Sequence, residues 1–230
     1  MARRSDQIHV YLEVRQKKTF AGAIDWPGWC RSGRDEESAL QALLDYGPRY
    51  ARVLRTSKLG FRAPKDVSAF RVVERLKGNA TTDFGAPGLP PSHDSEPVDP
   101  EELSRLEKVL KACWKTLDAS ASQAGGKMLR TGPRGGGRLL EGIVQHVLES
   151  DAGYVNQLGW KFKPEDSDDL DSCLKKTRQA ILSGLAASAR GEIPAKGPRG
   201  GLRWSPRYFV RRLAWHTLDH AWEIEDRIEK

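Results

Sequence analysis

The sequence predicts an α+β domain, a small sheet plus a helix, followed by an all-α four-helix bundle. Three observations carry that expectation. Residues 8–25 alternate apolar and polar side chains as strands do. Residues 79–99 are rich in glycine and proline. After Asp99, four stretches repeat their apolar residues at helical spacing. The expected division is 1–78 for the first domain, 79–99 for a linker and 100–230 for the bundle.

In the first domain, Ile8, Val10, Leu12 and Val14 alternate with His9, Tyr11, Glu13 and Arg15, the period of a half-buried strand. Gln16-Lys17-Lys18 supplies a polar turn, and Phe20-Ala21-Gly22-Ala23-Ile24 returns as a second strand. Trp26-Pro27-Gly28-Trp29-Cys30 reads as a loop punctuated by proline and glycine, with Gly33 beyond it. Asp35 is placed to cap a helix patterned by Ser38, Leu40, Ala42, Leu43 and Tyr46, and Gly47-Pro48 disturbs its continuation. Phe70, Val72, Val73 and Leu76 predict a further strand over 69–76.

The order strand, strand, Pro27-Gly28-Trp29-Cys30, Gly33 and then Asp35-Glu36-Glu37-Ser38-Ala39-Leu40 resembles the HicB-like fold of bacterial antitoxins over about residues 8–55. That resemblance implies a small sheet plus helix serving as an interaction module. The small DNA-binding domain that usually accompanies it does not follow here. The linker expected over 79–99 holds His93 among Ser92, Asp94 and Ser95, in a setting that predicts a solvent-facing imidazole.

The first bundle helix opens with Asp99 as cap, Pro100 in the first turn and Glu101-Glu102 at the positive end of the helix dipole. Leu103, Leu106, Leu110, Cys113 and Leu117 continue it. The second helix is expected over 138–158, with Leu139, Ile143, Val147, Tyr154 and Leu158 on one face. The third, over 168–189, carries Leu170, Leu174, Ile181 and Leu185. The last starts at Ser205-Pro206 and carries Phe209, Leu213, Ile224 and Ile228. Amphipathic helices of this length suit a bundle with a common core.

Two histidines, His216 and His220, lie one turn apart in the last helix and therefore share a face. His146 lies on the apolar side of the second helix, between Ile143 and Val147. Buried without partners, each imidazole would cost roughly 1–3 kcal/mol. A divalent transition metal such as Zn²⁺, Ni²⁺ or Fe²⁺ removes much of that cost, and three protein ligands leave positions open for water or substrate. Glu149, Asp219 and Glu223 lie within a turn of these histidines and are candidates to orient an imidazole or to accept a proton.

A repeated peptide precedes both histidine-bearing helices, Gly132-Pro133-Arg134-Gly135-Gly136-Gly137-Arg138 and Gly197-Pro198-Arg199-Gly200-Gly201-Leu202-Arg203. Its glycines are not spaced as a P-loop. Arg134, Arg138, Arg199 and Arg203 are candidate substrate-binding residues, because guanidinium groups and free N–H groups at helix starts both favour anions. The sequence also suggests that the two loops share the metal end of the bundle.

One histidine in the second helix and a His-x-x-x-His pair in the fourth, here His146, His216 and His220, resemble the DinB/YfiT-like superfamily over about residues 100–230. The resemblance implies a metal held by those three residues and, in some branches, thiol-dependent transferase or isomerase chemistry with a low-molecular-weight thiol. The two Gly-Pro-Arg-Gly-Gly loops are not part of that family's general signature.

Composition bounds the remaining classes. No stretch approaches the ~20 apolar residues of a membrane span. Cys30, Cys113 and Cys173 are widely spaced and form no C-x-x-C pair, which argues against a disulfide framework and for a reducing, cytoplasmic setting. The net charge of +7 is spread as short pairs such as Arg3-Arg4 and Arg211-Arg212 without a nucleic-acid motif, and a small anionic or thiol substrate explains it equally well. Three readings stand: a metal-dependent hydrolase or thiol S-transferase; a non-catalytic, metal-responsive protein that binds a partner or dimerises; and, behind these, a DNA-binding protein with steeply salt-dependent affinity for duplex DNA.

Overall fold

In the computed structural model, residues 7–131, 137–163 and 169–229 are described. They form two compact units that divide between Glu96 and Pro97. The first unit is a four-stranded sheet with short helices, and the second is all-helical.

The sheet is ordered β3-β2-β1-β4, with β1 (Ile8–Val14), β2 (Thr19–Ala23), β3 (Cys30–Gly33) and β4 (Phe70–Lys77). β2 pairs antiparallel with both β1 and β3, while β4 runs parallel to β1. A parallel neighbour needs a long crossover, and α1 (Glu36–Asp45) with α2 (Gly47–Leu54) lies in it. Asp35 caps α1 by accepting from the Ser38 N–H at 2.8 Å. Gly47-Pro48 ends that helix and starts α2 at once, with the proline in the first turn where its missing N–H costs nothing.

Trp29 anchors this core. It is fully buried, donates from Nε1 to the Leu43 carbonyl at 2.8 Å and stacks on Tyr50 at 5.8 Å. Gly33 lets β3 approach the start of α1, since a Cβ there would lie 2.3 Å from the Ala39 nitrogen.

Two expectations need correction in this unit. β1 is not half-buried: Tyr11 and Glu13, its expected solvent face, are 1% and 0% exposed. Tyr11 lies over Gly22, and the Glu13 carboxylate accepts from the Thr82 hydroxyl and from the backbone N–H groups of Gly88 and Leu89. Residues 79–96 accordingly belong to the first unit and carry α3 (Ala80–Phe84) and a 3-10 turn at Ser92–Ser95. His93 is only partly exposed and lies 3.0 Å from the Glu96 carboxylate.

The second unit contains α4 (Pro100–Ala124), α5 (Leu140–Leu158), α6 (Leu170–Ala189) and α7 (Pro206–Arg227). Asp99, Asp169 and Ser205 cap α4, α6 and α7 through their side chains. Leu139, expected on the core face of the second helix, instead precedes α5 as its N-cap and is 78% exposed.

Contacts between helix ends set the directions. Glu102 bonds Arg207 at the starts of α4 and α7, and Ser120 bonds Glu225 near their ends, so these two helices are parallel. Arg227 donates to the Arg138 carbonyl and the Trp204 N–H to the Gln157 carbonyl, so α5 opposes α7. Asp118 pairs with Arg178, and Gly184 packs on Leu158 and Trp160, which aligns α6 with α5. Leu117, Ile143, Val147, Ala221 and Ile224 form a core shared by α4, α5 and α7. No described helix is long and apolar enough to cross a membrane.

Candidate metal centre

The opposed course of α5 and α7 brings His146 against His216 and His220. Ring centroids are 5.2 Å apart for His146 and His216, 5.0 Å for His146 and His220, and 4.6 Å for His216 and His220. Each residue offers one ring nitrogen, and these atoms all lie within 4.8 Å of one another. His216 is 7% exposed, the His220 side chain 12% exposed, and His146 half-buried, so the cluster reaches the surface on the α5 side.

The electrostatics favour the neutral ring at His216 and His146. Burial, then His220 and His146, then Arg212 and Arg138, push the His216 pKa down to about 2. His146 is lowered as well, by burial first and then by His220 and Arg138. A neutral imidazole is the form that carries a ligating lone pair.

His220 Nδ1 lies 2.8 Å from Glu223 Oε2, and Arg227 donates to the other Glu223 oxygen at 2.7 Å. The bond to His220, and then the one to Arg227, hold the Glu223 carboxyl below its ordinary range. With Glu223 as acceptor, the proton belongs on Nδ1 and the lone pair on Nε2. His216 Nδ1 is buried and has no hydrogen-bond partner. An orphaned buried nitrogen costs roughly 1–3 kcal/mol, and a cation is the group that would satisfy it beside the imidazoles of His146 and His220. The donor set therefore fits a divalent transition metal.

Of the acids flagged from sequence, Glu223 is bonded to a cluster histidine, His220. Glu149 instead accepts from Gln145 on the exposed side of α5.

The three described arginines of the set do not converge. Arg138 precedes α5 at the histidine end, and its carbonyl is held by Arg227 at 3.0 Å. Arg199 and Arg203 belong to a hairpin closed by pairing of Lys196 with Leu202. Arg203 donates to the Pro194 carbonyl at 3.0 Å and packs on Gly159, at the far end of α5. Because α5 and α7 are opposed, Arg138 and Arg203, which precede them, lie at opposite ends rather than at one shared end. Arg134 lies outside the described residues.

The sequence reading missed two neighbours of the cluster. Tyr154 has its ring 5.7 Å from that of His216. Arg212, one turn before His216, lies 5.7 Å from the Tyr154 ring and 4.7 Å from that of Trp215. The available signal was spacing: Tyr154 follows His146 by two turns of α5, and Arg212 precedes His216 by one turn of α7.

Comparison with protein-family models, curated proteins and solved structures yields no match to this chain.

Proposed function

We propose that the helical unit binds a divalent transition metal through His146, His216 and His220, and that it is a metal-dependent hydrolase or thiol S-transferase of the DinB/YfiT-like kind. The carrying observation is the convergence of three ring nitrogens within 4.8 Å on two opposed helices. The partnerless Nδ1 of His216 and the Glu223 bond to His220 support it. Small side-chain rotations would bring these nitrogens to the closer spacing that a shared cation would need.

Such a metal supplies Lewis acidity and lowers the pKa of a water or thiol. The chain's own residues divide the remaining work. Glu223 holds the proton on His220 Nδ1 and so fixes which nitrogen faces the centre. Arg227 holds Glu223 in turn. Arg138 contributes positive charge at the start of α5, which suits an anionic substrate.

The test is the metal content of the purified protein by plasma mass spectrometry, beside a His216→Ala, His220→Ala double variant. Near-stoichiometric metal that the variant loses is the expected result. No uptake of Zn²⁺, Ni²⁺ or Fe²⁺ by a folded wild type would overturn the reading and move attention to partner binding.

A further inference from the structure

We propose that Arg212 and Tyr154 form a carboxylate-binding subsite beside the histidine cluster, orienting a small substrate that carries a carboxylate away from its reacting end. This rests on the metal reading and deepens it.

The geometry is specific. Arg212 is one helical turn from His216, and Tyr154 reaches the same place from α5, with its ring 5.7 Å from His216. The guanidinium lies 4.7 Å from the Trp215 ring centroid and 5.7 Å from that of Tyr154. Contact with two aromatic rings restrains a long side chain before any ligand arrives, which lowers the entropic cost of binding. Tyr154 is itself packed on Trp204 at 5.2 Å.

The chemistry selects the ligand class. The permanent charges acting on His216 are both cationic, Arg212 and Arg138. The cluster's own carboxylate, Glu223, is already engaged by His220 and Arg227, so with a further cation at the centre the complement of a guanidinium at this place is a ligand anion. Arg212 hydrogen-bonds the Tyr154 phenol. A hydroxyl that accepts from a guanidinium still has its own proton to donate. A planar fork next to an O–H donor matches the two oxygens of a carboxylate.

The experiment uses the full-length protein loaded with Co²⁺, whose visible absorption reports ligands entering the metal's open positions. Succinate is the probe, one carboxylate for the metal and one for Arg212, and acetate is the control that needs only the metal. Arg212→Gln is expected to weaken succinate binding about tenfold and acetate binding less than about twofold. Arg212→Lys keeps charge without the fork and should recover part of the loss. A merely structural role would instead weaken both anions together or abolish the cobalt bands.

Equal succinate affinity in wild type and Arg212→Gln overturns the subsite while leaving the metal reading intact. Absence of cobalt bands in a folded wild type overturns both. Should Arg212→Gln lose its helical circular dichroism, Tyr154→Phe decides the matter. A selective loss for succinate supports the subsite, and unchanged succinate binding overturns it.

Discussion

Asp151 is 3% exposed on α5, and its Oδ1 has no hydrogen-bond partner. Burial, only partly opposed by Arg178, raises its pKa from 3.8 to about 8. Between those values the unfolded chain has released the proton and the folded chain keeps it, so this group makes stability fall as pH rises. His216 acts in the opposite sense. Its depressed pKa means that the unfolded chain gains a proton first as pH falls below about 6.5, so its contribution is lost on acidification. The difference between wild type and Asp151→Asn isolates the aspartate. Urea unfolding at pH 5 and pH 8 should show wild type losing stability relative to the variant as pH rises, by at most about 1.4 kcal/mol per unit. A pH-independent difference would mean that Asp151 is ionised in the fold. The histidine pair was legible at this scale because an i, i+4 relation is local to one helix. Asp151 was not, because its burial depends on neighbours from other helices.

At the level of elements, strong local signals survived and distant ones were invisible. Asp35, Asp99 and Ser205 cap helices where the sequence places them, since a cap involves residues three apart. The short elements β3 and α3 offer no periodic signal, and α2, although Tyr50, Val53 and Leu54 recur at helical spacing, is only eight residues long; the sequence reading passed over all three. Glu13 was assigned to a solvent face because the groups that hold it, Thr82, Gly88 and Leu89, lie some seventy residues further on. That carboxylate fastens residues 79–96 to the sheet. Glu13→Gln turns one acceptor oxygen into a donor facing backbone N–H groups, and a buried mismatch costs roughly 1–3 kcal/mol. The expected result is a lower urea midpoint together with faster proteolytic cleavage within 79–96. A wild-type cleavage pattern would show that the segment is held by other contacts.

For the molecule as a whole, each unit has its own core: Trp29 and its aromatic neighbours in one, and the α4, α5 and α7 apolar cluster in the other. The histidines belong wholly to the second. A metal that binds only the folded state stabilises it by about 2.7 kcal/mol when present at a hundred times its dissociation constant. Hydrogen exchange on the full chain should therefore slow in α5 and α7 on adding Zn²⁺ and stay unchanged in β1 and β2. Equal slowing in the sheet would contradict a site confined to the helices. The division into an α+β part and a helical part was legible from periodicity alone. Helix direction was not. Whether α6 follows or opposes α5 is decided by contacts such as Gly184 on Leu158, and the misplaced Arg199 and Arg203 trace to that missing information.

One residue closes the connection between α4 and α5. The Arg227 guanidinium donates to the carbonyls of both Arg130 and Arg138, at 2.8 and 3.0 Å, and so holds together the two stems of segment 131–137. The entropy of joining chain ends grows only with the logarithm of loop length, about 0.6 kcal/mol per doubling. With its stems tied from outside, the segment is under little pressure to keep its length or composition. Insertions between residues 131 and 137 should therefore be tolerated during divergence while the helices that carry the histidines stay as they are.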